Sequence, residues 1–182
     1  MLVLVSALVL GLAAGYLGGG RLRRLQHLRL ALPWLAVAAL ALQVVAFTPL
    51  AAPLPAAAVV ALHLASYALL VWFVLANRRH RGLLVAGLGM GLNLAAIAAN
   101  GGYMPASRAA LELAGMGGRP ATEHNSTVIG EGTRLPFLGD VFAVPSWVPF
   151  ANVFSVGDVL IVAGVAWLLA AAMRGGCEGG KG

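Results

Sequence analysis

Polar positions are sparse along this chain, and their placement divides it into apolar blocks. Crossing a bilayer takes about 20 mostly apolar residues in helical form. Five blocks approach or meet that length: 2–17, 28–47 ("LRLALPWLAVAALALQVVAF"), 56–76 ("AAAVVALHLASYALLVWFVLA"), 82–100 ("GLLVAGLGMGLNLAAIAAN") and 151–173. The pattern predicts an all-α polytopic membrane helix bundle of about five transmembrane helices, a single integral membrane domain over residues 1–182. Residues 101–150 connect the fourth and fifth blocks and form a long loop, too long to be a plain turn. Within it, "MPASRAALELAG" predicts a short helix capped by Ser107 and ended by Gly115. The Gly-rich, polar stretch up to Asp140 reads as irregular. "VFAVPSWVPF" reads as an interfacial or re-entrant segment, with Trp147 suited to the membrane surface.

Charge orients the blocks. Arg21, Arg23, Arg24 and Arg29 lie between the first two, and Arg78, Arg79 and Arg81 between the third and fourth. Arg174 and Lys181 follow the fifth, whereas "TPLAAPLP" between the second and third carries no charge. The positive-inside rule then places the N-terminus outside, the C-terminus in the cytoplasm and the 101–150 lid outside. A bacterial cytoplasmic (inner) membrane location is the expectation. The N-terminus lacks a positive n-region, so its block is expected to be a retained span rather than a cleaved signal.

Composition agrees. The chain is 60% hydrophobic and 10% charged, against about 25% charged in soluble domains. Of the twelve Lys and Arg residues behind the net charge of +6, seven fall in the two basic links. That clustering reads as topology, with the lipid bilayer as partner and no nucleic acid. The single cysteine, Cys177, allows no internal disulfide and no Cys/His metal spacing. Neither a metal nor a cofactor is expected.

Chemistry is sought in the few polar residues of the apolar blocks. Gln43 reads as an interhelical hydrogen-bonding residue. His63, a lone intramembrane histidine, reads as a packing residue or as part of a substrate or ion path. Gly87, Gly89 and Gly91 suggest a small-residue packing face. Asn93 and Asn100 are seven residues apart and share a helix face. Asn152, Ser155 and Asp158 are spaced by three at the entrance of the last block. A carboxylate inside an apolar span is costly unless it faces protein or water, and the positive end of the helix dipole lowers that cost. Asp158 therefore faces the bundle or a wet cavity under the lid, bonded to Ser or Asn neighbours or to Arg134, or acts as a site carboxylate. Asp140, in "LPFLGDVF", reads as a turn residue or as a second site carboxylate. Two close carboxylates share a proton and can activate water.

The combination of "NGGYMP", "HNST", "LPFLGDVF" and "NVFSVGDVLI" resembles an uncharacterised family of bacterial multi-pass membrane proteins, a domain of unknown function, over most of the chain. The resemblance implies no activity. It implies that Asn100, Gly101, Gly102, Met104, Pro105, His124, Asn125, Gly139, Asp140, Asn152 and Asp158 belong to one shared site or folded lid. Separately, "FSVGDVLIVAGVAWLL" is similar to the last motif of lipoprotein signal peptidase, with Phe154, Gly157, Asp158, Ile161 and Gly164 in register. That similarity implies a catalytic role for Asp158. Ser155 stands where the motif has Asn, and Ala96 and Ile97 stand where the partner motif has Asp and Arg.

Three functions follow as expectations. The first is an accessory, structural or binding protein with a polar site of Asn100, Asp140, Asn152 and Asp158, together with Ser155, His124 and Asn125, its lid docking another membrane protein. The second is an aspartyl-type membrane hydrolase using Asp140 and Asp158. The third is a small-solute or ion carrier using His63 and Asp158.

Overall fold

The computed structural model of the chain describes residues 2–118, 122–123 and 126–175. Five helices form the bundle: α1 (Leu2–Leu17), α2 (Pro33–Phe47), α3 (Ala56–Ala76), α4 (Arg81–Ala99) and α6 (Val156–Arg174). A short α5 (Arg108–Leu113) lies in the connection between α4 and α6, preceded by Ser107 at the N-cap and followed by Gly115 at φ +73°. Helices α3, α4 and α6 are long and apolar enough to cross a membrane, and α1 and α2 are apolar but shorter.

Two helices start later than the hydropathy pattern predicts. The second block was expected from residue 28, yet α2 begins at Pro33 with Leu32 in the left-handed region at φ 49°. Proline fits the first helical position but disfavours helix at the residue before it, so the helix cannot extend backwards. The last block was expected from residue 151, yet α6 begins at Val156 and Asn152–Phe154 is a strand. Asn152 therefore does not share a helix face with Ser155 and Asp158.

Helix α6 lies between α4 and α1, while α3 joins α4 to α2. Glycine sets the closest approach. Gly82 and Gly89 on α4 face Gly164 and Gly157 on α6, in that order, so the two helices run antiparallel. A Cβ on Gly82 would sit 2.5 Å from the Gly164 carbonyl oxygen, and one on Gly157 would sit 2.6 Å from that of Gly89. Seven residues are nearly two turns, so each pair shares one face. Of the three glycines predicted to form a packing face, only Gly89 meets α6; Gly87 meets Val74 of α3, and a Cβ on Gly91 would meet nothing within 4 Å beyond its own helix among the described residues. Residues two apart on a helix point in different directions, which is why the three cannot act together. Gly11 and Gly15 of α1 receive Leu169 and Met173 of α6 in the same way.

The lid is more ordered than predicted. Strand β1 (Met104–Ala106) is fully buried and pairs in parallel with β3 (Ser126–Val128), which pairs antiparallel with β2 (Thr122–Glu123). Ala106 also bridges Asp140 on the other side of β1. The segment expected to be interfacial or re-entrant forms most of a β-hairpin, β4 (Phe142–Val144) against β5 (Asn152–Phe154), with the rings of Phe142 and Phe154 stacked at 5.4 Å. Trp147 and Phe150 stand out from its tip, 76% and 77% exposed.

Candidate functional site

Asp158 enters the fold as a capping residue. The Ser155 hydroxyl accepts from the Asp158 backbone N–H at 3.0 Å, and the Asp158 carboxylate accepts from the Ser155 N–H at 3.0 Å. This capping box satisfies two donors that every helix start leaves orphaned. The second carboxylate oxygen accepts from Asn93 Nδ2 at 2.9 Å, and Ser155 Oγ donates to Asn93 Oδ1 at 2.8 Å. Four hydrogen bonds thus close a ring across α4 and α6, with Asn93 and Ser155 buried. Gly157 makes the ring possible, because a Cβ there would collide with Asn93 Oδ1. Asp158 faces the bundle and is bonded to a Ser and an Asn, as expected. Arg134 is not its partner, and Asn93 is the member that sequence reasoning left out of the site.

Asp140 is held by its backbone. Its N–H donates to the Pro105 carbonyl at 2.7 Å, and its carbonyl accepts from the Ser107 N–H at 2.9 Å. Gly139 lies so close to the Pro105 carbonyl that no side chain fits there. Burial, and then the negative charge of Asp158, pushes the Asp140 carboxyl up to about 7. The two carboxyl groups therefore share one electrostatic neighbourhood. No hydrogen bond joins them among the described residues.

The other predicted residues scatter. Asn100 Nδ2 donates to the Ala96 and Arg134 carbonyls, both at 2.7 Å, and Oδ1 accepts from the Arg134 N–H at 2.9 Å. It clamps the lid to the end of α4 and does not touch Asp158. Gly101 and Gly102, at φ +69° and +98°, make the left-handed turn that ends α4, as the Asn-Gly-Gly triplet predicts. Asn152 sits in β5 opposite Val144. His124 and Asn125 lie outside the described residues.

His63 has surroundings of its own. The residue is 4% exposed, its ring packed edge-on to Phe47 at 4.6 Å and tilted against Tyr67 at 5.3 Å. Its nitrogens have no hydrogen-bond partner among the described residues. It lines a cavity of about 170 Å³ at the lid end, with Phe47, Val59, Val60, Gly102 and Tyr103 among the walls. Below it, Gln43 donates to the Ser66 hydroxyl at 3.1 Å, the interhelical bond predicted for Gln43. Neither Tyr67 nor the part of Gly102 and Tyr103 in this cavity was legible from local patterns, since distant segments bring them together.

A helical chain with three helices long and apolar enough to cross a membrane, and a folded lid at one end, is the class these features define. Over residues 27–170 the chain matches a family of unknown function (DUF5317), and it belongs to that family. The matched region contains α2, α3, α4, the whole lid and most of α6. No curated protein and no solved structure matches the chain.

Proposed function

We propose that this chain is a five-span membrane protein that binds a small, largely apolar molecule at its lid end, serving as a binding or accessory protein and not as a hydrolase. The observation that carries this reading is His63. The residue is buried, its ring nitrogens have no protein partner among the described residues, and it borders a cavity among aromatic and aliphatic walls, so the polar atom of a guest in that cavity would meet the imidazole. The cavity is smaller than drug-sized sites of roughly 300–1,000 Å³. It suits a single ring or short headgroup with one polar atom, hydrogen-bonded to a neutral imidazole that offers one donor and one acceptor.

Five spans are supported by packing: α1 lies against α6 and α2 against α3, so the shorter helices share the environment of the longer ones. The arginine links favour the lid end as the outer side. The hydrolytic alternative is disfavoured because both Asp158 oxygens are occupied within the capping ring. Docking of another membrane protein through the lid remains a second role, favoured by Trp147 and Phe150 at the hairpin tip.

Thermal unfolding in detergent tests the binding role. Phenol is expected to raise the midpoint more than toluene at equal concentration, and His63→Leu to abolish the difference. Equal effects of the two probes on the wild type would remove the proposed site. Cysteine-labelling from either side, at Leu50 and at Arg79, tests the orientation.

A further inference from the structure

The end opposite the lid carries a second, larger cavity of about 640 Å³, formed where the α1–α2 link meets the α3–α4 turn. Leu30, Ala31, Leu75 and Ala76 give it an apolar wall, and Arg29, Arg78 and Arg79 give it a basic rim. Two contacts hold this rim in shape. Asn77, only 4% exposed, accepts from the Ala31 N–H at 2.7 Å and donates to the Ala31 and Phe73 carbonyls at 2.8 Å. The His80 ring lies 3.3 Å from the Arg29 carbonyl. The backbone that carries the three arginines is thereby fixed before any ligand arrives.

Among the described residues their guanidinium groups are unused. Arg29, Arg78 and Arg79 make no side-chain hydrogen bond or ion pair among the described residues. The carboxylates of Asp140 and Asp158 are at the lid end, because α4 and α6 are antiparallel and Asp158 meets Asn93 near the end of α4. Topology alone requires positive charge on this side, but it does not require a walled cavity, an apolar face behind the charges or a rigid bracket beneath them.

We infer that this cavity binds the phosphate headgroup of an anionic phospholipid of the inner leaflet, its acyl chains lying along the apolar wall. Arginine forks match phosphate oxygens bidentately, and basic pockets between spanning helices are suited to such headgroups. A soluble phosphate would meet the arginines but leave the Leu30–Leu75 wall bare. The inference rests on the membrane-spanning orientation proposed above.

The test uses the full chain in detergent, titrated with phosphatidylglycerol or phosphatidylcholine and followed by native mass spectrometry and thermal shift. Phosphatidylglycerol is expected to bind at least tenfold more tightly than phosphatidylcholine. A hydrogen bond from each arginine to the phosphate contributes about 1 kcal/mol, roughly fivefold. The double variant Arg78→Gln/Arg79→Gln is therefore expected to lose about 25-fold for phosphatidylglycerol, with its unliganded midpoint unchanged because both side chains are exposed. Arg21→Gln/Arg23→Gln removes the same charge elsewhere on this end and is expected to lose less than threefold. Equal losses in the two variants, or no headgroup preference, would overturn the site. Stabilisation by sn-glycerol 3-phosphate at the same concentration as the lipid would overturn the lipid assignment. Labelling that places Arg79 outside would instead overturn the orientation, so the two failures are distinguishable.

Discussion

Alanine at Gly89 and alanine at Gly91 add the same methyl group to the same helix, two residues apart, with opposite consequences. Intrinsic propensity favours both exchanges by about 0.5–1 kcal/mol, since glycine loses the most backbone freedom in a helix. At Gly91 nothing lies within 4 Å to oppose the gain. At Gly89 the new Cβ collides with the Gly157 carbonyl oxygen and stands 2.9 Å from both the Ile161 nitrogen and Leu160 Cβ. Backbone atoms cannot swing aside as the tip of a side chain does, so α4 and α6 must separate. Overpacking of this kind costs about 1–3 kcal/mol. Separation also stretches the Asn93–Asp158 bond one turn away, worth about 0.6 kcal/mol within a bilayer. The two variants should therefore differ by about 2–4 kcal/mol. At about 2–4 °C per kcal/mol for chains of this size, that is a gap of roughly 5–15 °C in unfolding midpoint. Tryptophan fluorescence during heating in one detergent measures it. Midpoints within a degree of each other, or Gly91→Ala the less stable, would refute the claim that these glycines set the helix contact.

Three further outcomes are expected. Asp158→Ala lowers stability by about 1–2 kcal/mol through the lost cap, Asn93→Leu does the same by opening the ring, and the double variant falls short of the sum because the residues share one network; additive losses would break that account. Asp140, raised from 3.8 to about 7 in the fold, holds its proton in the folded state where the unfolded chain has lost it, so its contribution to stability is greatest below about pH 4, falls up to about pH 7 and is flat above. Asp140→Asn abolishes that fall, so the variant gains on the wild type between pH 4 and 7 by at most about 4 kcal/mol, read as a widening midpoint difference across a pH series. Asn77→Ala strands the Ala31 backbone groups and costs about 2–3 kcal/mol, with faster tryptic cleavage after Arg29 as the local readout.

The third block was legible to the residue: Pro55 and Asn77 bound the 56–76 run, and α3 occupies all of it. The fourth was displaced by one position. The second and fifth overran at their starts because hydropathy does not distinguish an apolar helix from an apolar strand or bend. Only the conformational effect of Pro33 marks the true start of α2, and only pairing of β5 with β4 removes Asn152–Phe154 from α6. The lid strands are two or three residues long, shorter than any alternation can reveal. At the site, the cost of burying Asp158 predicted a protein-facing carboxylate and named Ser155. Asn93 remained unassigned because its contact with α6 depends on Gly89 and Gly157 meeting across the chain. His63 stood out as a lone imidazole, but the cavity beside it exists only because Gly102 and Tyr103 close it from the far end of α4.

The placement of α6 between α1 and α4 bears on how the chain is made. Helix α1 is made well before α6, yet the residues that fill the notches at Gly11 and Gly15 belong to α6. At synthesis rates of about 5–20 residues per second, the intervening stretch from Leu17 to Val156 takes roughly 7–28 s to appear. Through that interval α1 is without this neighbour, and any truncation before Val156 leaves its glycine notches unfilled.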